Sequence, residues 1–214
     1  MTRNSCGGAA GRLGFWSAFF SATFGIMYLL GEAAHLLGLL GPHDSPASLV
    51  VRMAPSLLLP VAFVILMATI NACASKRSRV WAQIALAFAV IYAVLVSFVY
   101  FVELTVVIPQ TVRGEADEVA LLVFGFGTFM FAVDILGYAF MSLATLFAAP
   151  VFEGRGLELW IRWALIVNGF LAPVIALQII FPPLWKVAAL WAVSFPAATV
   201  MLAVWFSRTQ RTVA

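Results

Sequence analysis

Apolar residues run along this chain in six stretches, 14–40, 49–74, 80–108, 119–149, 159–181 and 184–206. Each reaches the ~20 residues that an α-helix needs to cross the hydrocarbon of a bilayer. The stretches between them carry turn and charge signals. They are Gly41-Pro42-His43-Asp44-Ser45-Pro46, Ser75-Lys76-Arg77-Ser78-Arg79, Pro109 to Glu118, Glu153-Gly154-Arg155-Gly156 and the Pro182-Pro183 hairpin. All are short, so neighbouring helices are expected to run antiparallel with no domain outside the membrane. The pattern predicts an all-α integral membrane protein, one transmembrane domain over 1–214 built as a six-helix bundle with short loops.

Composition strengthens this reading. Charged residues make up only 10% of the 214 positions, and 64% are apolar. The mean hydropathy is +1.07. A soluble fold of this size could not cover a core with so few charges, and the apolar excess excludes disorder. Two cysteines, Cys6 and Cys73, are too few for a secreted disulfide scaffold. The net charge of +3 comes from short basic clusters between apolar runs, not from one basic face, so nucleic acid is excluded as a partner.

Those clusters predict orientation. With the N-terminus inside, Arg3, Arg12, Lys76, Arg77, Arg79, Arg155, Arg162, Arg208 and Arg211 fall on the cytoplasmic side, and Arg52, Arg113 and Lys186 on the other. Nine against three places both termini in the cytoplasm. Trp16, Trp81, Trp160, Trp163 and Trp205 near the inner boundary and Trp185 near the outer one fit an aromatic belt. The apolar run after Arg12 is too long for a signal-peptide core, so the first helix is expected to insert and stay.

An ionisable group inside a bilayer costs roughly 2.5–3.5 kcal/mol at the helix centre, which makes each one a functional candidate. Glu32, His35, Arg52, Glu103 and Asp134 qualify. At about 1.5 Å of rise per residue, Asp134 and Asn168 sit at the midplane, with Glu32 and Tyr100 about 8 to 9 Å further out. His35 and Gln178 come about 12 Å out, and Arg52 and Glu103 about 13 Å. Tyr28, Glu32 and His35 form one stripe by spacing, Tyr100 and Glu103 are neighbours, and so are Asp134 and Tyr138. Such faces avoid lipid and are expected to converge on the bundle interior. Pro55, Pro60, Pro173 and Pro196 should kink their helices, which suits either an outward-opening cavity or plain packing. Around Gly125 and Gly127, the phenylalanines 124, 126, 129 and 131 are expected on the helix face just outside Asp134, as packing or as the lining of an apolar pocket.

Three functional readings follow. In the first, Glu32, His35, Arg52, Tyr100, Glu103, Asp134 and Asn168 form a polar cavity in the outer half of the bundle that binds or transports a small molecule, with proton relay through Glu32 and Asp134 as one means of coupling. Six helices are few for a carrier, so a homodimer is one expected form. In the second, the protein is a structural or partner subunit in which Arg52 pairs with Glu103 and Glu32 with His35. In the third, Glu32-Ala33-Ala34-His35 is a Glu-x-x-His step, and Glu32, His35 and Glu103 hold a metal in a membrane-embedded enzyme. No other cofactor is implied. Asp134 is expected to be neutral at pH 7, or to take a hydrogen bond from Asn168 or Tyr138. Cys73 lacks a nearby histidine, and no nucleophile elbow or phosphate-cradling loop occurs.

Three segments carry a resemblance. Tyr100-Phe101-Val102-Glu103-Leu104-Thr105-Val106-Val107, then Leu136-Gly137-Tyr138, then Leu146-Phe147-Ala148-Ala149-Pro150-Val151-Phe152 resemble a group of uncharacterised bacterial multi-pass membrane proteins. The resemblance covers about half the chain. It implies a location in the bacterial inner (cytoplasmic) membrane, and it brings no activity or catalytic residues.

Overall fold

The computed structural model describes residues 6, 8–40 and 45–211. Arg3, His43, Asp44 and the expected turn at 41–44 lie outside the described residues, as does the side chain of Arg211. Among the described residues there are six helices long and apolar enough to cross a membrane. They are α1 (Gly8–Leu36), α2 (Pro46–Cys73), α3 (Arg79–Val112), α4 (Phe129–Val151), α5 (Leu157–Leu177) and α6 (Pro182–Gln210). The protein is an all-α six-helix bundle of the membrane-spanning kind.

Each helix packs on its neighbours in the chain, and α6 returns to pack on α1, so the six close into a ring. Small residues allow the close approaches. Gly11, Gly14, Ser17, Ala18, Ser21, Ala22 and Gly25 form a buried seam on α1. A Cβ at Gly14 would run into the Phe206 ring of α6, and one at Gly25 would touch Phe195. Gly137 of α4 faces Val96 of α3 in the same way. Without a hydrophobic drive between helices in lipid, such close backbone contact is what holds a bundle together.

A ring of six helices leaves space on its axis, and aromatic side chains occupy it. Phe63 meets Tyr92 at 5.5 Å between ring centres, Tyr92 meets Tyr138 at 5.6 Å, and Tyr138 meets Trp191 at 5.0 Å. Trp191 stacks on Phe195 at 5.2 Å, and Phe195 returns to Phe63 at 5.8 Å. Five rings from α2, α3, α4 and α6 therefore close a cycle across the core. Edge-to-face and stacked pairs of this kind each add about 0.5–1.5 kcal/mol beyond their burial.

The fourth helix begins later than its apolar run predicts. Residues Ala116–Leu122 form a 3-10 turn, and α4 starts at Phe129. Thr128 caps it, its hydroxyl accepting the Phe131 N–H at 3.2 Å. The turn ends at Val123, whose backbone is extended, and Gly127 has φ +82°, a left-handed conformation outside any helix. Gly125 and Gly127 are thus loop residues, not a packing face. An apolar run cannot by itself be told from a buried loop.

Cys6 and Cys73 form a disulfide that ties the N-terminal segment to the end of α2, across 67 residues of sequence. The sequence reading did not pair them. Closing a loop of this length stabilises by roughly 4 kcal/mol in the chain-entropy account.

The tightest helix contact gives a direct test. A Cβ on Gly169 of α5 would meet the Leu146 backbone of α4, with Cα at 2.9 Å and N at 3.0 Å. Backbone cannot rotate away, so Gly169→Val should force α4 and α5 apart and lower stability by about 2–4 kcal/mol. Thermal unfolding in maltoside would register this as a fall in Tm, and an unchanged Tm would contradict the packing.

Candidate functional site

Near the end of the bundle opposite the chain termini, the axial space is left open as a cavity of about 470 Å³. That lies in the ~300–1,000 Å³ range of small-molecule sites. The aromatic cycle contributes Tyr138 and Trp191 to its wall. Tyr28, Tyr100, Phe124, Phe131 and Trp185 supply further aromatic lining, and Glu32, Arg52, Asp134 and Gln178 the remaining polar groups.

Irregular backbone gathers at this end. The last turns of α3 widen to a π-helix over Glu103–Val107, next to Pro109, which has no N–H to give. α5 is interrupted at Leu171 before Pro173, and α6 at Ala189 and Leu190 before its long run from Trp191. At membrane depth, non-helical backbone is tolerated where protein buries it or a cavity receives it.

The charged groups are arranged differently from the expected pairs. Arg52 binds Glu32 through two bonds, its Nε donating to Oε1 at 2.8 Å and its Nη2 to Oε2 at 3.2 Å. The two helices meet here, since a Cβ on Gly31 would lie in contact with the Arg52 backbone, 3.4 Å from its Cα. Glu103, expected to face Arg52, instead accepts the Phe124 backbone N–H at 3.0 Å. Its carboxylate satisfies a donor that the non-helical segment before α4 leaves without a helical partner. That bond anchors the loop that carries Phe124 to the cavity. Glu103 is 2% exposed and does not line the cavity.

Asp134 is 4% exposed and does line it. Neither expected donor serves it. Asn168 gives its amide N–H to Thr145 at 3.0 Å and receives the Ser194 hydroxyl at 2.8 Å, tying α4, α5 and α6 together away from the cavity. Tyr138 makes no bond to it either. Tyr100 is its partner, with the hydroxyl 3.5 Å from Oδ2, at the long limit for such a bond. The other oxygen, Oδ1, is buried with no partner. Three more lining residues have a buried polar atom in the same condition: Arg52 Nη1, Tyr138 Oη and Trp191 Nε1.

Of the seven expected site residues, Glu32, Arg52, Tyr100 and Asp134 come together, whereas His35, Glu103 and Asn168 lie off the lining. The expected metal set of Glu32, His35 and Glu103 does not assemble. Among the described residues no three His, Cys, Asp or Glu side chains group closely enough to hold an ion. The physical reason is that each acid already answers another group, Glu32 the Arg52 guanidinium and Glu103 a backbone N–H. Tyr28 and Tyr138 were within reach of sequence reasoning, one turn from Glu32 and Asp134. Trp185 was read as a belt residue and Trp191 carried no signal.

No protein-family model, curated protein or solved structure matches the chain.

The two-point Arg52–Glu32 pair can be measured. Their side chains are 13% and 29% exposed, so removing one partner leaves a partly buried charge. Glu32→Gln or Arg52→Gln should each lower stability by about 2 kcal/mol, less than for a fully buried pair. In a double-mutant cycle on thermal unfolding, Arg52→Gln should couple to Glu32→Gln and not to Glu103→Gln. Coupling to Glu103 instead would overturn the pairing.

Proposed function

We propose that this protein binds a small molecule in the cavity near the end of the bundle opposite the chain termini. The observation that carries the reading is the set of unpartnered polar atoms on the lining: Asp134 Oδ1, Arg52 Nη1, Tyr138 Oη and Trp191 Nε1. A buried polar group left without a hydrogen bond costs about 1–3 kcal/mol. Four around one space are what a site for a polar ligand requires, an acceptor and three groups able to donate. The apolar and aromatic remainder of the wall supplies the burial that binds a ligand's body. Passage through the bundle would require the five-ring cycle to open, so binding is the primary reading and transport an extension of it.

We further place the protein in a bacterial cytoplasmic membrane with both termini inside, which puts the cavity in the outer half. The nine-to-three distribution of basic residues supports this. The Cys6–Cys73 pair sits at the basic end, where a cytoplasm keeps thiols reduced. In cells the pair should therefore be a dithiol that closes on oxidation.

Two measurements follow. Cysteines at positions 45 and 77, in a background without Cys6 and Cys73, should be labelled from outside intact cells at 45 alone. Labelling at 77, or a Cys6–Cys73 bridge found intact in freshly trapped cells, would reverse the orientation. For the cavity, thermal shift in maltoside against a panel of amines, amino acids, alcohols and organic anions should yield stabilising compounds. Ala192→Phe, placed on the lining, should remove those shifts while keeping the fold. Shifts that survive the filled cavity, or a panel with none, would defeat the reading.

A further inference from the structure

We infer that the ligand of this cavity is an organic monocation, an amine or quaternary ammonium, held by Asp134 and the surrounding aromatic rings. The inference rests on the small-molecule reading above and names its chemical class.

Charge is the first argument. The lining contains three charged side chains, Glu32, Arg52 and Asp134. Glu32 and Arg52 cancel each other through their two-point pair at 2.8 and 3.2 Å. Asp134 is then the remaining acid of the lining, with one oxygen, Oδ1, that has no protein partner, and a bound cation would hold it in its ionised form. A single positive charge brought by the ligand completes the set.

The wall decides what kind of cation fits. A small inorganic ion takes six or more oxygen ligands or a tight tetrahedral set. Among the described residues no three His, Cys, Asp or Glu side chains group together to supply them. The cavity offers instead the side chains of Tyr28, Tyr100, Phe124, Phe131, Trp185 and Trp191. The faces of aromatic rings attract a diffuse organic cation, most strongly where water is excluded, and cages of this composition suit quaternary ammonium groups. Neighbouring rings hold one another in place, Tyr100 against Phe124 at 5.8 Å and Phe124 against Phe131 at 5.8 Å, so the wall is preorganised. Arg52 Nη1, a donor without a partner, is left for an acceptor atom elsewhere on the same ligand, such as a hydroxyl or carbonyl oxygen.

The test compares choline with 3,3-dimethyl-1-butanol, which has the same shape with carbon in place of the charged nitrogen. Binding of both is measured by equilibrium dialysis on the full chain in maltoside. Choline should bind at least about tenfold more tightly, the scale of a desolvated cation–aromatic contact. Asp134→Asn should abolish that preference and leave the alcohol's affinity unchanged. Should that variant fail to fold, Trp185→Leu at the half-exposed rim should weaken choline several-fold more than the alcohol. Equal affinities of choline and the alcohol would overturn the inference while leaving a cavity that selects by shape. Binding of neither, with panel compounds still shifting the Tm and Ala192→Phe removing those shifts, would overturn it alone. Binding of neither with no shift from any panel compound would remove both readings.

Discussion

A ring of six helices, each packed chiefly on its two neighbours, cannot fill its own axis with backbone. Side chains must do so, and the cycle of Phe63, Tyr92, Tyr138, Trp191 and Phe195 meets that need at one level of the bundle. The seams between helices are lined by glycine, alanine and serine, which bring backbones close but project nothing inward. Large buried side chains outside that cycle, among them Phe152, Phe206, Met67 and Met141, fill the rest of the core. Where the cycle stops, toward the end opposite the termini, the axis is open and the cavity begins. The cavity is thus a consequence of how the ring is closed: small residues at the seams, and an aromatic cycle that stops short of the end opposite the termini.

How much of this the sequence disclosed follows from which forces leave a linear signature. Six spans were legible because length and hydropathy are properties of single segments, and the convergence of Glu32, Arg52, Tyr100 and Asp134 was legible because charge cannot face lipid. The pairing among those groups was not. Arg52 reaches Glu32 instead of Glu103 because α2 packs on α1 at Gly31, a contact that depth alone does not encode. Glu103 was withdrawn from the cavity by the Phe124 N–H, and that donor exists only because the chain before α4 is not helical. An apolar run containing two glycines reads as helix until the left-handed Gly127 is seen. Asn168 shared the depth of Asp134 but faces Thr145 and Ser194. Depth follows from counting; azimuth requires the neighbours.

The polar groups therefore divide by whether they answer the protein or not. Glu103 answers a loop and Asn168 joins three helices; both are fully occupied and both are structural. Glu32 and Arg52 answer each other, leaving one guanidinium nitrogen over. Asp134 has only a long bond from Tyr100 and a second oxygen with nothing. Burial without a partner is unfavourable in any folded protein and more so where no water is at hand. A core evolved only for packing would do better with asparagine or leucine at that position, since neither would leave a lone carboxylate beside six aromatic side chains. Four of the unsatisfied buried atoms, on Arg52, Asp134, Tyr138 and Trp191, share this one cavity, while others, such as Ser21 Oγ and Asn71 Oδ1, lie elsewhere in the bundle. The four on the cavity differ from the rest in that a single molecule placed there can satisfy several of them together.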